Sequence, residues 1–172
     1  MRFICIGLIL STANVAFALE AQPTVSVNDQ GIVEGQIVLP ANETAVRLVL
    51  ADAVGSSLLS SDVYNAETRK EGNCEIVSRK VRGMWRPITY HAKRCPTKYG
   101  WIENLVKSDT VSNYYMEWKL DGLDNGTRVR YKIKTEFDLP VPTSIVQGET
   151  KRSVRKMLKN LFAKIIRKKN KK

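Results

Sequence analysis

From Val154 to Ile166 the chain repeats apolar residues at the spacing of one helical face. Val154, Met157, Leu158, Leu161, Phe162, Ile165 and Ile166 follow the i, i+3, i+4, i+7 rule, while Lys151, Arg152, Arg155, Lys156, Lys159 and Lys164 fall largely outside that stripe. This predicts a C-terminal helix of about 20–25 residues whose stripe must be covered by a broad apolar surface. Such a surface lies just upstream in the sequence. Between Arg128 and Phe137 the residues alternate, with Val129, Tyr131, Ile133, Thr135 and Phe137 on one face and Arg128, Arg130, Lys132, Lys134 and Glu136 on the other. Period two with one wet face is the pattern of a half-buried antiparallel strand. Tyr114, Met116, Trp118 and Leu120 share a face in the same way, and Pro140 and Pro142 part the last strand from the helix.

The rest of the chain reads as short elements of the same kind. Thr24 to Leu39 is strand-like, with a bend at Asn28–Gly31. Asn42 is placed to cap a short helix from Glu43 to Asp52, whose apolar side carries Val46, Leu48, Val49 and Leu50, and a helical turn is expected at Val54–Ser60. Strands are expected at Val63–Arg69, Cys74–Arg82, Ile88–Cys95 and Trp101–Lys107, with a turn at Pro96–Gly100 and a hairpin at Leu120–Gly126.

Charge is concentrated at one end. Lys151 to Lys172 holds 11 of the 28 Lys and Arg residues and no acidic one, which leaves 17 basic residues against 17 acidic in the remainder. The chain is a neutral body with a basic end, and Arg167, Lys168, Lys169, Lys171 and Lys172 are candidates for contact with an anionic membrane surface. Nucleic acid is disfavoured as a partner, since no recognised binding motif accompanies the charge.

At the other end, Arg2 precedes an apolar run from Phe3 to Leu10, and Ala16-Phe17-Ala18 supplies small residues at the spacing of a signal-peptidase site. The run is far shorter than the roughly 20 residues that span a bilayer. Residues 1–18 are therefore expected to be a signal peptide, with the mature chain starting at Leu19 in the periplasm or outside the cell. Residues 19–166 would form one domain and 167–172 a basic tail. Export places Cys74 and Cys95 where disulfides persist, and one bridge between them is expected. Asn42-Glu-Thr44 and Asn125-Gly-Thr127 match the glycosylation acceptor pattern, which matters only in a eukaryotic secretory route.

Element order and two local stretches resemble a known superfamily. Ile37-Val-Leu-Pro-Ala-Asn-Glu-Thr-Ala-Val-Arg-Leu-Val-Leu-Ala-Asp52 looks like a first strand running into a helix that ends in Asp. Gly126-Thr-Arg-Val-Arg-Tyr-Lys-Ile-Lys-Thr-Glu-Phe-Asp-Leu-Pro-Val-Pro142 looks like a last strand and the entry to a final helix. Over roughly residues 24–166 the chain resembles the START-like, or SRPBCC, superfamily of pollen allergens, lipid-transfer domains and polyketide cyclases. The resemblance implies an α+β helix-grip fold: a curved antiparallel sheet wrapped around a long C-terminal helix, short helices after the first strand, and a cavity between sheet and helix. It also implies an apolar small molecule or lipid as ligand in many members and catalysis in a minority. The superfamily has no universal catalytic motif, so no catalytic residue carries over. The chain departs from it at the front, where most members lack an export signal.

Three readings follow. The first is an exported, non-catalytic binding or carrier domain, with Tyr90, Met116, Trp118, Tyr131, Ile133, Leu158 and Phe162 as candidate cavity lining. The second is an exported cyclase- or hydrolase-type enzyme using the same cavity, which needs polar groups converging inside it. The third is an envelope-surface interaction protein with a filled core, acting through its basic helix. His91 is the lone histidine and has no relay partner in the local sequence. There is no Gly-rich phosphate loop, HExxH or GxSxG, and no metal or cofactor is expected.

Overall fold

The computed structural model describes residues 22–83, 86–138 and 140–169. The expected signal peptide, the expected start at Leu19, and Lys171 and Lys172 lie outside them. An N-terminal hairpin, β1 (Thr24–Val27) and β2 (Val33–Leu39), leads into α1 (Glu43–Ala51) and α2 (Ala53–Ser57). Six strands follow in a meander: β3 (Val63–Glu71), β4 (Cys74–Val81), β5 (Ile88–Thr97), β6 (Gly100–Ser108), β7 (Val111–Leu123) and β8 (Gly126–Phe137). The chain then enters α3 (Thr143–Lys169). The sheet order is β1-β2-β8-β7-β6-β5-β4-β3, antiparallel throughout. The α1–α2 segment therefore crosses from β2 to the opposite sheet edge, and the meander walks back until β8 pairs with β2, Ile37 against Val129. Register shifts at Val63/Asn65, His91/Ala92 and Val111/Asn113 each insert a bulge. Bulges bend and twist a sheet, which lets this one curve around α3.

Local chemistry sets the helix ends. Asn42 accepts a hydrogen bond from the Ala45 amide at 2.9 Å, and Asp52 ends α1 and caps α2 by accepting from the Gly55 amide at 2.9 Å. The last helix is 27 residues long and unbroken through Lys169, so the expected boundary at residue 166 is not a break in structure. Basic residues in its last turn, Arg167, Lys168 and Lys169, face the negative end of the helix dipole, which favours continuation. The expected turn at Pro96–Gly100 is also shorter. Pro96 stays in β5 opposite Trp101, because β4 begins at Cys74, opposite Cys95, and Pro96 needs no amide partner on that side.

The core lies between the inner sheet face and α3. Val33, Ile37, Leu39, Leu120 and Val129 from the sheet, Val46, Val49 and Leu50 from α1, and Val154, Leu158, Leu161 and Ile165 from α3 are buried together. Gly35 allows the helix to come close: a Cβ there would sit 2.6 Å from Val154 Cγ1 and 2.9 Å from Leu158 Cδ1.

Cys74 and Cys95 form the disulfide, with Cα atoms 4.4 Å apart across the β4–β5 pair. It closes a loop with a sequence separation of 21. A loop of that size constrains the unfolded chain by about 3 kcal/mol. Urea unfolding with and without reductant should differ by about that amount, and Cys74→Ala/Cys95→Ala should match the reduced protein.

Candidate functional site

Between the sheet and the first half of α3 lies a cavity of about 540 Å³. Strand alternation sends Arg79 and Val81, Ile88 and Tyr90, Val111, Tyr114, Met116 and Trp118, and Tyr131, Ile133, Thr135 and Phe137 to its wall. Val146, Thr150, Ser153, Val154 and Met157 of α3 close the other side. The lining is graded. Arg82, Arg86, Ile145 and Glu149 are exposed and mark the opening, whereas Ser56, Ser57, Arg79, Tyr90, Tyr114, Met116, Trp118 and Tyr131 are buried and form the inner end.

Tyr90, Met116, Trp118, Tyr131 and Ile133, expected from the sequence as cavity lining, lie on this wall. Leu158 and Phe162 do not. Leu158 is fully buried in the packed part of the grip, beside Gly35, and Phe162 packs on the core. The helix turns Val154 and Met157 to the cavity instead. His91 is on the opposite sheet face from Tyr90, with Nδ1 2.7 Å from Ser78 Oγ, and is not part of the lining.

The inner end holds a buried ionic cluster that sequence reading missed. Arg79 on β4, Arg94 on β5 and Glu103 on β6 are 4%, 2% and 0% exposed. Arg79 donates two hydrogen bonds to the Glu103 carboxylate, at 2.5 and 2.8 Å, and a third from Nε to Ser57 Oγ at 2.8 Å. Arg94 donates to the Leu50 carbonyl in the last turn of α1 and stacks its guanidinium 4.9 Å from the Trp101 ring centre. Its Nε, without a hydrogen-bond partner among the described residues, lies 3.7 Å from Glu103. Tyr114 donates to Glu103 at 3.4 Å. The cluster thus pins the α1–α2 corner to three strands.

Burial opposes the charge on Arg79, but Glu103 and the nearby tyrosines more than restore it, so its pKa stands well above the ordinary value. For Arg94 burial outweighs the pull of Glu103 and lowers it. Burial also pushes the Tyr90, Tyr114 and Tyr131 phenols up, so they remain protonated. At its inner end the cavity therefore presents hydroxyl groups and the Arg79 guanidinium in its pair with Glu103, with carbon surface between that end and the opening.

No family model matches the sequence, and no curated protein does. Solved structures do match. A START superfamily protein from Mycobacterium smegmatis superposes with a TM-score of 0.70 at 12% identity, over 79% of this chain and 97% of that one. A STAR-related lipid transfer protein fragment from Xanthomonas axonopodis gives 0.62 at 16% identity, over 84% and 98%. An aromatase/cyclase from Streptomyces sp. R1128 gives 0.55 at 20% identity, over 78% and 85%. The fold is START-like. At these identities the likeness is one of architecture, and function has to be argued from this chain's own side chains. Within this grip Arg79, Ser57 and the tyrosines line the inner end of the open space, and Glu103 and Arg94 lie behind Arg79.

Proposed function

We propose that this chain is an exported carrier for a single fatty or isoprenoid-like molecule, held by apolar burial with its polar group toward Arg79, Ser57 and the tyrosines. The observation that carries this reading is the graded cavity: about 540 Å³, open at one end and polar at the other. That volume is in the range of small-molecule sites. The rings of Trp118 and Tyr131, with centres 4.4 Å apart, and those of Tyr90 and Tyr114, at 4.9 Å, provide rigid walls for an aliphatic chain. Export is supported by the Ala16-Phe17-Ala18 pattern and by the disulfide, which persists in oxidising compartments. Among the described residues, no helix is long and apolar enough to cross a membrane.

The convergence of Arg79, Ser57, Tyr90 and Tyr114 favours the enzyme reading enough to keep it as the second. These groups supply donors, as a site polarising a carbonyl would need, but the buried carboxylate beside them is held between two arginines and does not line the cavity. The carrier reading is therefore preferred.

The test is native mass spectrometry of the purified protein, followed by titration with an uncharged fluorescent fatty probe. A bound lipid-sized mass is expected, with affinity that changes little with salt because burial is not screened. Ile133→Trp places an indole in the cavity from a half-buried position. It should displace ligand contact worth about two methylenes and weaken probe binding about tenfold, with the circular dichroism spectrum unchanged. Absence of binding by any apolar probe overturns the carrier reading, and turnover of a bound polyketide-like substrate would favour the enzyme.

A further inference from the structure

The outward side of α3 carries charge that the fold does not neutralise. Nine Lys and Arg residues stand against one acid, Glu149, between Thr143 and Lys169. Arg152, Arg155, Lys156, Lys159, Arg167, Lys168 and Lys169 are all exposed. With 3.6 residues per turn, Arg152, Arg155, Lys156, Lys159 and Arg167 fall within an arc of roughly 120° and along about 22 Å of helix. Val154, Met157, Leu158, Leu161 and Ile165 are buried on the opposite side. Of the exposed residues, Arg152 pairs with Glu149 at 3.4 Å, and the others have no ion pair among the described residues.

On β8 three of the outward cations are paired. Lys132 pairs with Glu34, Arg130 with Asp121 and Lys134 with Glu136. On α3, by contrast, Arg152/Lys156 and Arg155/Lys159 are like charges at i, i+4, an arrangement that weakens a helix. A facing negative surface would relieve that repulsion. Ile145, an exposed residue of the cavity opening, shares this arc, and Arg82 and Arg86 add positive charge at the same opening. The straight array suits an extended planar anion, and it runs beside the entrance to the cavity.

We propose that the outward face of α3, from Arg152 to Arg167, docks flat on an anionic lipid bilayer and brings the cavity opening to the headgroups. Attachment is electrostatic, because the face carries Ile145 but no apolar stripe to insert. It goes beyond the carrier reading and is measured without ligand.

The test is co-sedimentation of the full chain with vesicles of phosphatidylcholine alone and of phosphatidylcholine containing phosphatidylglycerol. Binding is expected to the second kind only, and to be lost near 1 M salt, where the screening length is about 3 Å. Each cation facing an anionic surface is worth about fivefold in affinity, so Arg155→Gln/Lys156→Gln/Lys159→Gln should bind about 100-fold more weakly. Its thermal stability should hold or rise, and its uptake of an uncharged apolar probe should be unchanged. Binding that survives this triple change but is abolished by Arg167→Gln/Lys168→Gln/Lys169→Gln would overturn flat docking in favour of end-on attachment. Equal binding to phosphatidylcholine alone, or tighter binding to duplex DNA in the same buffer, overturns the proposal.

Discussion

Replacing Glu103 with glutamine is expected to cost about 3–5 kcal/mol of folding stability, the usual loss when one partner of a buried ion pair is removed. The carboxylate is 0% exposed and is the only anion that Arg79 and Arg94 both contact among the described residues. Glutamine keeps the size of the side chain and can satisfy a donor, so the loss isolates the charge. Two buried guanidinium groups then face each other without compensation, and the α1–α2 corner loosens because Ser57 and the Leu50 carbonyl are held by those same arginines. A packing role predicts a different result from Arg79→Met/Arg94→Met/Glu103→Leu. If charge pairing is what matters, the triple change should recover much of the stability, since apolar replacement of a whole buried ionic cluster is often neutral. Chemical denaturation of the three proteins reads this directly. If Glu103→Gln is as stable as the parent, the cluster is not the clamp described above. The triple variant should also lose preference for ligands with a polar end while still binding uncharged apolar probes.

Leu158→Ala should destabilise by about 2–5 kcal/mol, the transfer loss plus the cavity left behind. The side chain is 0% exposed and lies where α3 comes closest to β2, beside Gly35. A rigid glycine contact gives little room to collapse, which favours the upper part of the range. Met157→Ala, one residue earlier, is the control. Met157 lines the ligand cavity, so its truncation enlarges an existing space and should alter probe binding more than Leu158→Ala does. Equal effects of the two changes on ligand affinity would mean that the packed and open halves of the grip are not distinct. Truncation after Thr150 removes Val154, Met157, Leu158, Leu161 and Ile165 together, and the remaining chain should not show a cooperative thermal transition.

Much of the architecture was written in local periodicity. The alternation in Arg128–Phe137 and the stripe in Val154–Ile166 each identify an element and the face it buries, because side-chain direction repeats every two residues in a strand and every 3.6 in a helix. Asn42 announced a cap through its chemistry. The pairing of Cys74 with Cys95 followed from an even count together with the expectation of export, and adjacent strands make it possible. Element order was enough to suggest the grip.

The inner end of the cavity was harder to read, although one signal was there. Arg79 shares its strand parity with Val77 and Val81, Arg94 with Tyr90 and Ala92, and Glu103 with Trp101 and Leu105. Each is a charged residue at an inward position, and burying one alone would be costly. Taken strand by strand they look like exceptions; only the β4-β5-β6 order brings the two cations to the one anion. The sequence by itself therefore determined which elements form, which faces are apolar and that the last 22 residues carry the net charge. The tertiary structure decided where α3 packs and where it leaves space. Gly35 lets the Val154–Leu158 side come onto β2, while Met157 faces the open cavity. The reason is physical: a helical stripe fixes a direction, but how much of it meets a wall depends on contacts between strands far apart in the chain.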